Sequence, residues 1–537
     1  MMRKFLFAAL LCVLPCSAWA QLGCTPQAQA VLLNQFSDLA PAGSITPQNI
    51  RNIICSIFGG DLSTSTVAAT GSTTARTLAA RFGEVKDLLD YGAKCDGSTD
   101  DTAAIQAWLN KAAANVALIA PAGVCNFSAA LTVPSGGINQ VGIVGAGPYQ
   151  TVFRYTGVST TADLLTIGDG TNSYTNWYLG NFRIASNTTM TAGTGIHFKR
   201  LSRSELRGVI ADGQDGNGKL WNGIWFDAVD VVSFIGYEAR GQNDGIRVNG
   251  TVGVGPKADL WLEHGKIASS AIGLHVGGAF GGILCDQSDI ISNGGNVLID
   301  TALAAEGNRE VFLGPNCWID SATVGDDILI NDALAGNSTL AIGGWLSTGP
   351  ANGINIQSWA GKVTVTSPTV FNFTGDAIRV QSAATVLNIS STTQIHDNAG
   401  WGVNATVATN NIFPGAEPFA NSAGAYSANA HVENLASNGG YKKFNDGKIF
   451  QWFNTTFTGA ANTILAPVGG NPISLPLTCP NAELEASISA DTEGFANGAM
   501  QMTAVATPFG TTGVNVNLVA SGTVTLAQTV RIKLWCY

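Results

Sequence analysis

Six charged side chains closely follow apolar strand anchors in three consecutive repeats, with insertions blurring their alignment: Glu238 with Arg240, Glu263 with Lys266, and Asp286 with Asp289. Carboxylates spaced in this way become chemically useful if the chain folds back at each step and sets successive acids side by side. Strands stacked at ~4.8 Å would bring acids on adjacent turns to ~5 Å and acids two turns apart to ~10 Å. Retaining glycosidases hold their two carboxyls ~5 Å apart and inverting ones ~6.5–9.5 Å, so Glu238, Glu263 and Asp286 could supply either pair. That chemistry requires no cofactor. An eliminative lyase would instead use Lys266 or Arg240 as base, with the acids holding a Ca2+ ion against a uronate carboxylate. The plainer alternative is a row of exposed turn charges on a repetitive surface.

The elements that would align these residues are visible as a repeat. A short Gly-Ile-x-apolar strand recurs at Ile196, Ile224, Ile246 and Leu274, and less regularly at Val297, Ile328, Ile354, Ile378 and Val403. The steps run from 22 to 31 residues, about 26 on average, the period of a solenoid rather than of a compact module. A second set of anchors keeps pace with the first: Leu206, Phe234, Leu262, Leu284, Leu313, Ile342, Val365 and Ile389. Two phased strands per unit, separated by turns, describe the coils of a parallel β-helix. Asn243, Asn293 and Asn398 sit at one phase of the repeat and suggest an amide ladder along one turn.

Composition agrees. Only 12% of the residues are charged, where ~25% is usual, and the polar positions are filled by Thr, Ser, Asn and Gly, the residues of strands and turns. The net charge of −10 gives no footprint for phosphate backbones, so nucleic acid is excluded as a partner. Seven Trp residues recur along the repeat (Trp221, Trp225, Trp261, Trp318, Trp345, Trp359 and Trp401). Most Trp are explained by core burial, but two facing outward along one groove would favour a sugar ligand. Val141 to Gly147 imitates a dinucleotide loop, yet Tyr149 to Tyr155 reads as a strand where that loop needs a helix. His197 and His275 fall within repeat strands and read as hydrogen-bonded structural imidazoles.

Residues 1–20 carry Arg3 and Lys4, an apolar run from Phe5 to Leu14, and Ala18-Trp19-Ala20 before Gln21. This pattern is that of a secretory signal, implying a secreted, periplasmic or cell-surface protein; the apolar run is too short to span a membrane. Eight cysteines come after it, and sequential disulfides are the simplest pairing: Cys24–Cys55, Cys95–Cys125, Cys285–Cys317 and Cys479–Cys536. Residues 21–80 hold two short helix candidates, each opened by Thr-Pro-Gln, and a Ser/Thr-rich linker. The solenoid is expected over 81–410, a linker over 411–430, and a small β domain over 431–537.

One segment adds a family likeness. Asp90-Tyr91-Gly92-Ala93-Lys94-Cys95-Asp96-Gly97-Ser98-Thr99-Asp100-Asp101-Thr102, an alanine-rich helix to about Ala114, and Ala120-Pro121-Ala122-Gly123 together resemble the N-terminal signature of the pectate-lyase superfamily, shared by phage tailspikes. The resemblance implies an all-β, right-handed parallel β-helix acting on or binding an extracellular polysaccharide. Asp100 and Asp101 read as helix-capping structural residues. Asp326-Asp327 is similar to an acidic pair of polygalacturonases, but that family's Gly-His-Gly is missing, and Arg531-Ile532-Lys533 lies outside the repeat, so the pair reads as turn residues. The last ~95 residues resemble C-terminal domains of phage tail fibres, which adds the expectation of a tailspike-like homotrimer; because the fold also serves non-enzymes, the competing function is a non-catalytic surface adhesin or tailspike-like structural protein.

Overall fold

The computed structural model describes residues 83–212, 220–250, 258–278, 280–302, 307–308, 310–334, 338–407 and 418–427, with short strands elsewhere. The signal segment, the two Thr-Pro-Gln helix candidates and the Cys24–Cys55 pair lie outside the described residues. The chain divides into a unit ending at Val85 and a second from Lys86 onward. In the first, Thr66–Ala68 pairs antiparallel with Ala75–Thr77.

The second unit contains the solenoid, and its faces follow from alternation. On the first face twelve strands, from Leu131–Thr132 to Gly424–Tyr426, stack in chain order as one sheet. Its anchors Ile196, Ile224, Ile246, Leu274, Val297, Ile328, Ile354, Ile378 and Val403 are all in parallel register. Each points inward and is buried, worth roughly 1.5–3 kcal/mol per side chain. The repeat expected from sequence is therefore the core of this face.

On the second face Leu206, Phe234, Leu262, Cys285, Leu313, Ile342, Val365 and Ile389 form the matching inward file. One anchor is corrected: Cys285, not Leu284, holds that position. Leu284 faces outward and is exposed. The run Ile283-Leu284-Cys285 is apolar throughout, so alternation could not set its phase; the Cys285–Cys317 disulfide takes the inward place.

A third strand closes each coil. These strands are short, from Glu238–Ala239 and Lys266–Ala268 down to Thr369–Phe373 and Gln394–His396. Ala239, Ile267, Ile290, Ile319, Leu346, Val370 and Ile395 fill the core from this side. In five successive coils the corner between second and third faces is made by one left-handed residue: Asn181, Gly208, Gly236, His264 and Gln287, with φ between +48° and +64°. A single residue in that region turns the strand sharply without a loop.

The N-terminal end is covered as the sequence suggests. Helix Thr102–Leu109 buries Ile105, Trp108 and Leu109, and the Trp108 indole donates to the Lys86 carbonyl (2.9 Å). It ends at Leu109, short of Ala114; Ala112 beyond it is still buried. The acidic pair divides its work: Asp100 accepts from the Thr102 amide (3.0 Å), and Asp101 accepts from the Lys94 and Cys95 amides. Cys95 pairs with Cys125, and Cys285 with Cys317, as sequential pairing requires. Cys479 lies outside the described residues. On the turn before the first face, Asn243 donates to Asn222 and Asn398 to Asn421, each one coil away, whereas Asn293 bonds Asn296 within its own coil.

The last coil continues through Ile412–Phe413 and Gly424–Tyr426. Farther on, Gly439–Lys443, Ile449–Gly459, Leu484–Ser489 and Val524–Cys536 form an antiparallel sheet, and Ile464–Leu465, Ile473–Ser474, Met502–Phe509 and Gly513–Ala520 form another. Among the described residues no helix is long and apolar enough to cross a membrane.

Candidate functional site

Residues flanking the inward file of the third face must point outward, and in chain order they form a column: Arg183, Ile210, Glu238, Lys266, Asp289, Trp318 and Trp345. Its upper end gathers charge. Arg183 Nε donates to Asp212 Oδ1 (2.6 Å), with both side chains nearly inaccessible. The Arg240 amide bonds the Ala211 carbonyl, which places Arg240 beside Asp212 on the next coil. Arg240 Nε in turn donates to Glu238 Oε1 (2.9 Å).

Tyr149 completes the group. It comes from the glycine-rich segment that imitates a dinucleotide loop, which is here a solenoid corner between strands Val141–Val144 and Thr151–Tyr155. A Cβ on Gly145 would lie 2.2 Å from the Asn181 carbonyl oxygen, so only glycine lets the corner pack on the next coil. Thr151 Oγ1 accepts from the Ala146 amide and donates to the Pro121 carbonyl, pinning the turn. The exposed Tyr149 hydroxyl then donates to Glu238 Oε2 (2.8 Å), and its ring lies 6.0 Å from the Arg183 guanidinium carbon.

The two carboxyls of this cluster are driven apart electrostatically. Burial would raise Glu238, but the Tyr149 hydroxyl and the charges of Arg240 and Lys266 overcome it and hold the carboxyl below its usual range. For Asp212 burial wins: helped by the Glu238 charge, it pushes the carboxyl up against the pull of Arg183 and Arg240. Tyr149 is raised chiefly because its proton is held by Glu238. A carboxyl inclined to keep its proton beside one inclined to lose it is the division of labour of an acid–base pair.

The residues expected from sequence are partly brought together. Glu238, Arg240 and Lys266 belong to the cluster. Glu263 and Asp286 are in register with each other but on the second face, across the corner made by His264 and Gln287. In register with Glu238 stand Lys266 and Asp289. Glu263 and Asp286 directly follow their second-face anchors Leu262 and Cys285, whereas Glu238, Lys266 and Asp289 each stand four residues past Phe234, Leu262 and Cys285, beyond the corner. Tyr149, Arg183 and Asp212 escaped the sequence reading. Arg183 had left a trace, as a lone charge inside the apolar alternation Phe182-Arg183-Ile184.

Other candidates fall to structural roles. His275 lies between Asp244 (3.2 Å) and Asp300 (3.0 Å); burial opposes its charge, but the two carboxylates raise it to about 9. His197 is bonded to Asp163 (2.8 Å) and stacked on Trp225. Asp326 ties down Asn352 and Asn355, and Asp327 is enclosed at a turn with Oδ2 unpartnered, its carboxyl raised well above the usual range by burial. Cys95, Asp101 and Cys125 converge, but their sulfurs are spent on a disulfide. Of the tryptophans, Trp359 is core, whereas Trp318 and Trp345 are 46% and 41% exposed, with near-parallel rings 5.5 Å apart.

The molecule is thus a parallel β-solenoid with an outward acid–base cluster at the head of an exposed column. No family model and no curated protein matches its sequence. Solved structures similar to it include the A-module of the Azotobacter vinelandii mannuronan C-5 epimerase AlgE4 (14% identity, TM-score 0.44, 64% of this chain and 97% of that one). Another is the Dettilon tailspike protein (11%, 0.47, 90% and 98%). A third is tailspike gp49 of the Acinetobacter baumannii bacteriophage Fri1, a capsular polysaccharide depolymerase (10%, 0.39, 89% and 90%). At these values the likeness assigns no activity.

Proposed function

We propose that this protein is an exported polysaccharide-binding solenoid that hydrolyses glycosidic bonds at the Tyr149–Arg183–Asp212–Glu238–Arg240 cluster. The observation that carries the reading is one outward column, flanked at its upper end by two carboxyls shifted in opposite directions, Glu238 within it and Asp212 beside it, and ending in an exposed pair of indoles. Asp212 supplies the proton to the leaving oxygen, and Glu238 acts as the base on the other side of the bond. Asp212 and Glu238 sit one coil over and two residues along, so their backbones stand roughly 8 Å apart from strand geometry. Retaining pairs hold their carboxyls ~5 Å apart and inverting pairs ~6.5–9.5 Å, and the anomer of the released sugar distinguishes the two. Arg240 is engaged by Glu238, and Lys266 stands between Glu238 and Asp289, so neither is a spare base, which supports hydrolysis over elimination.

Reducing-end release from a panel of neutral and acidic polysaccharides, with absorbance recorded for unsaturated uronates, tests the reading. Release without absorbance, lost in Glu238→Gln, is the expected result. An absorbance increase refutes hydrolysis. Binding without release refutes cleavage and leaves an adhesin.

A further inference from the structure

Below Asp289 the third face changes character. Trp318 and Trp345 occupy the outward column on consecutive coils. On the next coil the aromatic series shifts to the neighbouring outward column, where Ser347 is followed in register by Phe371, His396 and Phe419. Phe371 and His396 are 5.3 Å apart with planes 17° off parallel, and His396 and Phe419 5.0 Å apart and 14° off. Five successive coils therefore each carry one ring on the same face, stacked coil on coil as Trp318–Trp345 and as Phe371–His396–Phe419. The core does not require them: all five point away from the inward file, and Trp318, Trp345 and Phe419 are 46%, 41% and 54% exposed.

We propose that this strip binds a neutral polysaccharide laid parallel to the solenoid axis, one pyranose per coil, from Glu238 to Phe419. The inference rests on the cluster at Glu238 being where such a chain is cut. The match in period is the first support. Coils rise by ~4.8 Å, which is close to the length of one pyranose in an extended chain, so each sugar meets the same kind of surface as the last. The chemistry is the second. The exposed rims of the stacked rings offer apolar area to sugar C–H groups, and the polar side chains beside them, Asp320, Ser347 and Asn372, offer partners to hydroxyls. Charge is the third. Asp289, Asp320 and Asp397 border the strip, and past Lys266 its strands from Asp289–Ile291 to Gln394–His396 contain no Lys or Arg. A polyuronate would meet carboxylates with carboxylates, whereas a neutral chain would not. Seven coil steps separate Glu238 from Phe419, roughly 34 Å, so the strip holds about seven sugars on one side of the cut.

The test uses the full chain carrying Glu238→Gln, which separates binding from turnover. Retention is measured on immobilised dextran, mixed-linkage β-glucan, galactomannan and xylan, and on alginate and polygalacturonate. Intrinsic fluorescence is then titrated with four- and eight-residue oligosaccharides of the polymer retained. Retention on a neutral polymer, tighter binding of the octamer than the tetramer, and about tenfold or greater weakening in Trp318→Ala/Trp345→Ala are expected, with the length preference gone. Phe419→Ala, at the far end, should weaken the octamer and leave the tetramer unchanged. Preference for the polyuronates, retention of no neutral polymer, or unchanged octamer binding in both variants would overturn the strip. If a neutral chain binds through the strip but protein with Glu238 intact never cuts it, the cleavage reading fails and the strip stands. If wild-type protein cuts short oligosaccharides and the strip variants bind normally, the strip alone fails.

Discussion

Replacing Arg183 by Met removes the side-chain partner that Asp212, 1% exposed, has among the described residues, which makes it a sharp probe of the cluster. Breaking a buried ion pair from one side costs about 3–5 kcal/mol, because the remaining charge stays desolvated. Arg183 makes a further interaction as well, so the single-variant cost is not the energy of the pair. A double-mutant cycle isolates it: Asp212→Asn added to Arg183→Met should recover much of the loss. The pH dependence has a definite sign. Asp212 is already pushed above the ordinary range by burial, and loss of Arg183 pushes it further. A group raised in the folded state contributes stability below its unfolded pKa, ~3.9 for Asp, and loses it as pH rises through the folded value. Arg183→Met should therefore be less impaired at pH 4 than at pH 7.5 in urea unfolding followed by circular dichroism. A cost below about 1 kcal/mol at pH 7.5, or no rescue by Asp212→Asn, would refute the argument.

Three further outcomes are expected. In the pH–rate profile the acid limb should lie below the ordinary Glu range, since Glu238 is held low despite its burial. Asp212→Asn should abolish the alkaline limb, and either amide substitution should cost about 10²–10⁴ in rate. Asp327, raised by burial with one oxygen unpartnered, destabilises the fold as pH climbs above its unfolded value. Asp327→Asn should accordingly melt higher than wild type at pH 8 and no higher at pH 4. Gly145→Ala must displace the Asn181 carbonyl and should destabilise by about 1–3 kcal/mol, loosening Tyr149; an unchanged melting temperature would show that the corner can yield.

The sequence alone determined the solenoid. A side chain enclosed in a coil must be apolar, and one strand with the same inward pair returns at each coil, so Ile196, Ile224, Ile246 and their successors declare both the period and the face. The helical cap and the Cys95–Cys125 and Cys285–Cys317 pairings were legible for related reasons, since they depend on neighbours close in the chain. The tertiary structure decided the third face and everything mounted on it. Strands as short as Glu238–Ala239 show no alternation to read, and one left-handed residue, such as Gly236 or His264, turns a corner without leaving a composition signal. Because that corner is silent in the sequence, Glu263 and Asp286, which precede it, stand apart from Glu238, Lys266 and Asp289, which follow it. Tyr149, Arg183, Asp212 and Glu238 come from four successive coils, and only the stacking of those coils makes them neighbours.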